Sequence, residues 1–288
     1  MKILVTGASG AIGKKLITNL KDLDFQIKVL VLPTEKDVFY NYGVEEVIGD
    51  LCNKESLRKA VQGIETVIHL AGLTHCHDEK KYFKVNLEGT KNLVDICENE
   101  AVKKFIFVSS RVANFAGGAY ARSKKMTEEV VQKSELNWLI LSPAEVYGMR
   151  EGEAIARLIR MVKRNRFVPI IGRGDYKLSP VNIDDVVKVI ISALNKDISQ
   201  KKYIIAGPKE YSYVELVDIL ANKFNKKIIK IFVPIFLFKI AAFLCRIFKL
   251  DFIYADQIPR LLINKPSDIS PARKDLDFKP KYFEENIK

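Results

Sequence analysis

The sequence predicts an α/β fold, a doubly wound parallel sheet with a smaller C-terminal part. Three observations predict it. Over the first 145 residues, short β-branched apolar runs alternate with helical patterns, the signature of parallel βαβ units rather than hairpins. A glycine-rich turn joins the first run directly to the first helical pattern. Beyond about residue 145 the alternation loosens, and Pro169, Gly172, Gly174, Pro180 and Pro208 break the chain into shorter segments.

The strands expected in order are Lys2 to Thr6, Ile27 to Leu32, Glu46 to Ile48, Thr66 to Leu70, Lys104 to Ser109 and Asn137 to Ser142. Helices lie between them. After the first strand, Ile12, Leu16, Ile17 and Leu20 repeat at the i, i+3, i+4 spacing that puts one apolar stripe on the sheet. The expected division is a sheet domain over residues 1–145, with elements near 175–205 returning to it, and a second domain formed mainly by residues 146–288.

With 288 residues, 48% of them hydrophobic and 28% charged, the chain can bury a full core, which excludes a disordered or fibrous protein. The net charge of +12 is spread over scattered lysines with no block of five or six like charges, so a solvated basic surface is expected and no nucleic-acid partner. Only a local cluster such as Lys163, Arg164 and Arg166 keeps the capacity to attract a phosphate. Cys52, Cys76, Cys97 and Cys245 lack CxxC spacing and read as reduced thiols. The start, Met1 to Val5, runs straight into a strand pattern and leaves no room for a signal peptide's apolar region, so a cytoplasmic location is expected. His75-Cys76-His77 has no second ligand pair at zinc-site spacing, and no metal is expected.

Thr6-Gly7-Ala8-Ser9-Gly10-Ala11-Ile12-Gly13 lies where a dinucleotide-binding, Rossmann-like fold needs its phosphate loop. Gly7 permits the tight turn, Gly10 lets backbone approach a pyrophosphate, and Gly13 allows close packing of helix on strand. Ser9, Ala11 and Ile12 belong to the same cradle, and the helix N-terminus adds unpaired N–H groups. The second strand ends at Leu32-Pro33-Thr34 without the acid that would hold the ribose hydroxyls of NAD. Thr34 and Lys36 there could accommodate a 2′-phosphate, so of NAD and NADP the reading leans slightly to NADP.

Tyr120 and Lys124, in the run Ala119-Tyr120-Ala121-Arg122-Ser123-Lys124, share one helix face. A free tyrosine has a pKa near ~10 and is a poor base at neutral pH unless a nearby ammonium stabilises the phenolate. Lys124 would supply that charge and hold the nicotinamide ribose. Such pairs are common on helix surfaces; the glycine loop and the Ser109-Ser110 strand end give this one its meaning.

The joint order of further motifs resembles an extended short-chain dehydrogenase/reductase of the NAD-dependent epimerase/dehydratase type, over almost the whole chain. Those motifs are Gly49-Asp50-Leu51, His69-Leu70-Ala71-Gly72, Val85-Asn86, Val108 to Ser110, Pro143 with Val146-Tyr147-Gly148, and Asp184-Asp185-Val186. The resemblance implies that Ser110 hydrogen-bonds the reacting oxygen, Tyr120 passes the proton, and Lys124 binds ribose and depresses the tyrosine pKa. It also implies Asp50 and Leu51 around adenine, Ala71 and Gly72 along the cofactor, Asn86 as a backbone brace and Pro143 near the nicotinamide. Asp184 and Asp185 read as structural.

Three departures limit the resemblance. Only nine residues separate Ser110 from Tyr120; Arg111-Val112 stands where sugar-nucleotide dehydratases carry Asp-Glu; and Asn114-Phe115 replaces the usual Tyr-Gly. Dehydration is therefore the least expected of the family's reactions. The expected substrate is a nucleoside-diphosphate sugar, oxidised or epimerised at a hydroxyl carbon. The alternatives are reduction of an apolar alcohol or ketone of sterol or isoprenoid type, and a non-catalytic dinucleotide-binding subunit. A homodimer is compatible with these readings.

The stretch 228–250 is nearly all apolar but carries Lys230, Pro234, Lys239 and Arg246, which argues against a transmembrane helix. The expectation is a helix that packs on the second domain or covers the pocket, with peripheral membrane contact as the alternative because Lys239 and Arg246 share a face.

Overall fold

A seven-stranded parallel sheet organises the molecule in the computed structural model, which describes residues 1–148, 154–250 and 253–287. Its strands are β1 (Lys2–Thr6), β2 (Gln26–Val31), β3 (Glu45–Ile48), β4 (Thr66–His69), β5 (Lys104–Val108), β6 (Trp138–Pro143) and, much later in the chain, β11 (Lys201–Ile205). They lie in the order β11-β6-β5-β4-β1-β2-β3. The order in which strands are added reverses between β1 and β4, the switch point at which doubly wound sheets leave a crevice beyond their carboxyl ends. The expected strands are all present, shifted by a residue at most ends: Leu32, Leu70, Ser109 and Asn137 fall outside the ladder. Leu32 is 42% exposed, because the chain leaves the sheet there into a short 3-10 turn, Pro33–Glu35.

Helices α1 (Ala11–Leu20), α2 (Lys54–Val61), α3 (Glu79–Tyr82), α4 (Gly89–Asn99) and α5 (Gly118–Lys133) connect the first six strands. The apolar stripe of α1 buries Leu16, Ile17 and Leu20 against Ile3, Val5 and Val29 on one sheet face. The other face packs Leu4, Val67, Phe105 and Ile140 against Leu57, Leu93 and Val131 from α2, α4 and α5. Local capping helps to define these ends, as where the Asn53 side chain accepts from the Ser56 N–H at the start of α2. Between α3 and α4 the chain makes a π-helical turn, Phe83–Glu88, an irregularity that turns Asn86 inward.

The later elements are β7 (Val146–Tyr147), α6 (Ala154–Arg164), β8 (Phe167–Ile171), β9 (Lys177–Leu178), β10 (Val181–Asn182), α7 (Ile183–Asn195), β12 (Tyr211–Ser212), α8 (Tyr213–Lys223), β13 (Ile229–Val233), α9 (Ile235–Ile247), α10 (Gln257–Leu262), α11 (Ser270–Leu276) and α12 (Phe283–Asn286). α7 and α11 cover the sheet face beside α1. A separate apolar core joins Leu158, Val168, Ile170, Leu216, Leu220 and Phe283. Asp184 pairs with Lys15, while Asp185 accepts from the Lys281 N–H, so both serve the packing of α7.

The apolar stretch 228–250 packs on β8 of the second domain and does not line the cavity described below. It forms β13 and α9, and of the α9 side chains only Ala242 is fully buried. Ile235, Phe238, Ala241 and Cys245 are half-buried, whereas Phe236, Leu237, Ile240, Phe243, Leu244 and Ile247 stand in the open.

Candidate active site

The crevice at the switch point holds a cavity of about 390 Å³. Its floor is the glycine loop, through Gly7, Gly10, Ala11, Ile12 and Gly13; its walls include Gly72, Ser109, Ser110, Tyr120, Lys124 and Pro143. The phosphate-loop residues and the Ser-Tyr-Lys group, separated by about a hundred positions in the sequence, thus face one space.

Backbone proximity explains the glycines. A Cβ on Gly7 would come within 2.5 Å of the Ala71 nitrogen, and one on Gly13 within 2.4 Å of the Gly7 carbonyl oxygen. A Cβ on Gly10 meets only the Gly7 carbonyl, at 3.3 Å, and has no other neighbour within 4 Å. Gly7 and Gly13 hold the fold of the loop, while Gly10 keeps space beside it clear. That cleared space, the unpaired N–H groups at the start of α1, and a buried Ser109 hydroxyl with no protein partner fit a dinucleotide lying along the loop.

Beneath the loop, buried His69 sits between the Thr6 hydroxyl (2.6 Å) and the Thr90 hydroxyl (2.8 Å). Burial pushes its pKa down to about 3, with the Lys124 charge adding to the effect, so the imidazole is neutral. The network joins the ends of β1 and β4 to α4. Asn86 braces the next turn: its amide accepts from the Leu73 N–H (2.7 Å) and donates to the Leu73 carbonyl (3.0 Å) and the Ser123 hydroxyl (3.1 Å).

The remaining expected cofactor residues are dispersed. Asp50 is exposed and accepts from the Cys52 N–H, while Leu51 is buried in the core under α2 and α4. Ala71 donates its N–H to the Thr6 hydroxyl. Thr34 lies in the 3-10 turn after β2. The expectation that no acid stands at this strand end is corrected by the same turn, which carries Glu35 back to the loop, where it accepts from the Ser9 hydroxyl at 2.7 Å. Pro33 at the head of the turn was the available signal.

Tyr120 and Lys124 share the buried face of α5, as their spacing requires. Burial raises the phenol pKa, while the nearby Arg260 charge and a hydrogen bond with Ser110 oppose that rise. Burial likewise lowers the Lys124 pKa to about 7, with the Glu128 charge opposing. The Lys124 ammonium donates to the Val108 carbonyl (3.1 Å) and lies 4.2 Å from the centre of the Phe107 ring. The Arg260 charge therefore acts on the phenol in the direction expected of Lys124.

Arg260 has no counterpart in the sequence reading. From α10 it places its guanidinium 4.0 Å from the centre of the Tyr120 ring. It pairs with buried Asp256 and donates to the Thr74 carbonyl (3.0 Å) and the Tyr82 hydroxyl (3.2 Å). Asp256 in turn accepts the Tyr120 backbone N–H at 3.3 Å, near the N-terminus of a helix that lacks a local side-chain cap. The pair Asp256 and Arg260 thereby clamps the first turn of α5.

Arg111, next to Ser110, is also buried. It pairs with Glu145 (2.7 Å) and donates to the Ser179 hydroxyl (3.1 Å), fixing the strand end that presents Ser110. His75 and His77 pack against the Tyr254 ring, and among the described residues no three His, Cys, Asp or Glu side chains group as metal ligands.

Comparison with known proteins agrees with this arrangement. UDP-glucose 4-epimerase of Vibrio cholerae is 26% identical over 96% of this chain and 90% of its own length. N-acetyl-α-D-glucosaminyl-diphospho-ditrans,octacis-undecaprenol 4-epimerase of Escherichia coli O157:H7 is 28% identical over 81% and 75%. The crystal structure of UDP-glucose 4-epimerase from Thermotoga maritima with UDP-glucose superposes with a TM-score of 0.79 over 99% of this chain and 96% of that one, at 22% identity, which shows a shared fold. The family model named NAD dependent epimerase/dehydratase matches residues 3–206, which contain the loop, the brace at Asn86, Ser110, Tyr120 and Lys124. With sheet order, cavity and family model in agreement, this chain is an enzyme of the extended short-chain dehydrogenase/reductase type and belongs to the NAD-dependent epimerase/dehydratase family.

Proposed function

We propose that the protein oxidises and re-reduces a hydroxyl-bearing carbon of a nucleoside-diphosphate sugar, with NAD as cofactor and epimerisation as the net reaction. The observation that carries this reading is the single cavity shared by the glycine loop, Ser110, Tyr120 and Lys124. Two relatives named as sugar 4-epimerases support the choice of net reaction.

Bound NAD supplies the hydride acceptor for oxidation and the donor for the return. Tyr120 Oη takes the proton of the substrate hydroxyl and gives it back, and Ser110 Oγ holds the same oxygen. To take that proton Tyr120 must first be a phenolate, a form that burial disfavours and that Arg260 and Ser110 favour. Lys124 Nζ, on the cavity wall, would donate to ribose hydroxyls of the bound cofactor; Ser109 Oγ has a free donor on the same wall. The Glu35 carboxylate beside Ser9 would accept from the two ribose hydroxyls of NAD and repel a 2′-phosphate, which supports NAD in place of the lean toward NADP. By the family resemblance Asp50 would border the adenine end of the cofactor and Pro143 the nicotinamide end, and Arg111, engaged by Glu145, leaves dehydration without its acid pair.

Incubation with NAD and UDP-glucose, followed by NMR of the sugar, tests the reading. The wild type is expected to form the 4-epimer, and Tyr120→Phe to lose about 10² to 10⁴-fold in turnover while retaining NAD affinity. Near-full activity of that variant would remove Tyr120 from the mechanism. Accumulation of NADH in step with substrate loss would replace epimerisation by net oxidation.

A further inference from the structure

We infer that α9, with the exposed face of β8 and β13, docks the protein on an anionic lipid bilayer. The helix is amphipathic in an inverted sense. Its smaller packing side, Ile235, Ala241, Ala242 and Cys245, turns toward the protein, while Phe236, Ile240, Phe243 and Ile247 recur at i, i+4, i+7 and i+11 along the open side. Phe236 is 61% exposed and Phe243 59%. Large apolar side chains gathered into one face have a meaning that scattered ones lack.

The neighbouring strand pair extends that surface. Ile229 and Ile231 stand in register with Phe167 and Pro169, and all four are exposed. The two-stranded sheet therefore presents an apolar face as well.

Charge selects the occupant. From residue 219 to residue 250 the chain carries Lys223, Lys226, Lys227, Lys239, Arg246 and Lys249, besides Lys230, which pairs with Asp218, and no acidic residue. At 3.6 residues per turn, Lys239 and Arg246 lie together on one flank of the apolar stripe, where their ammonium and guanidinium groups meet lipid phosphates as the stripe enters the acyl boundary. A second copy of this chain fits less well, because a two-fold contact across the stripe would bring like charges together in a protein of net charge +12. Spanning is excluded by length. Thirteen residues of helix cover about 20 Å, against roughly 30 Å of hydrocarbon.

The helix is also tied to the rim of the active site. Beyond its end, the Leu250 carbonyl accepts from His77 at 3.2 Å, and the Tyr254 ring packs on His75 and His77, in the loop whose Thr74 lines the cavity. A bilayer on α9 would thus lie near the mouth of the site.

Co-sedimentation of the full chain with vesicles of phosphatidylglycerol and phosphatidylcholine, compared with phosphatidylcholine alone, tests the inference. The wild type is expected to pellet with the anionic vesicles and to be released by salt. The double variant Phe236→Ser/Phe243→Ser should lose more than about 10-fold in partitioning, and Lys239→Glu/Arg246→Glu should lose roughly 30-fold or more toward anionic vesicles only. All four positions are exposed, so NAD affinity and turnover without vesicles should be unchanged in both variants, which separates this test from that of the catalytic reading. Failure of the wild type to pellet with anionic vesicles overturns the inference. So does a dimer seen by light scattering that Phe236→Ser/Phe243→Ser dissolves without any vesicle binding.

Discussion

The glycine loop lines the cavity directly, the segment 253–262 bears on it through Tyr120, and the two are built on different principles. In the loop, backbone does the work, and side chains matter by their absence. A Cβ at Gly13 would collide with carbonyl oxygens, and one at Gly10 would intrude into cleared space. Segment 253–262 works through side chains alone: Asp256 reaches the Tyr120 N–H and Arg260 covers the Tyr120 ring, across 136 residues of sequence. A backbone device is local and repeats in recognisable form; a side-chain clamp can be assembled from any distant segment that packs nearby.

The largest effects should come from the loop, and a pair of variants sharpens the contrast within it. Gly10→Val should lower NAD affinity by about 10- to 100-fold, the cost of forcing methyl groups into occupied space, with thermal stability nearly unchanged. Gly13→Val should instead lower stability by about 1–3 kcal/mol or more, because its neighbours are the backbone atoms of Gly7 and Ala8. Titration calorimetry and thermal melts on both variants check this. Equal loss of stability in the two would mean that Gly10 also supports the loop.

A second test concerns the support beneath the loop. His69 has a folded pKa of about 3, below its ordinary value of 6.5, so the unfolded chain binds the extra proton between those pH values. Stability contributed by neutral His69 is complete above pH ~6.5 and is lost as pH falls toward ~3. The loss should reach about 2 kcal/mol at pH ~5. Urea unfolding at pH ~7.5 and ~5 measures it, and His69→Gln should remove most of that dependence. A variant with the same pH dependence as wild type would assign the effect to other groups.

How much was legible in the sequence follows the same division. The six early strands, the loop and the Tyr120–Lys124 face are set by periods of two and 3.6 and by glycine spacing, all readable within short windows. Glu35 escaped because the strand ends at Val31 and a 3-10 turn, not an extended continuation, folds the acid back onto Ser9. Arg260 escaped for a deeper reason. Asp256 and Arg260, four apart, predict only an ordinary helix ion pair, and nothing local says that it packs on α5. The outward face of helix α9 is not legible locally, because apolar composition does not say which way the large side chains point.

The smallest effect expected is also the one that most directly tests the long-range side. Arg260 lowers the Tyr120 pKa against the rise caused by burial, so removing the guanidinium should raise it further, and Asp256, left without its partner, would add in the same direction. If turnover requires the phenol to give up its proton, the rising limb of the pH–rate profile lies at that pKa and should move to higher pH in Arg260→Met. Arg260→Lys, which keeps the charge but not the planar stack on the ring, should restore part of the shift. A purely structural clamp predicts something different: Arg260→Met would lower the maximal rate or the melting temperature and leave the limb where it was. Measuring kcat against pH for the wild type and both variants, at saturating NAD and substrate, separates the two outcomes. An unmoved limb would leave the tuning of Tyr120 to Lys124 alone and make Arg260 packing for the first turn of α5.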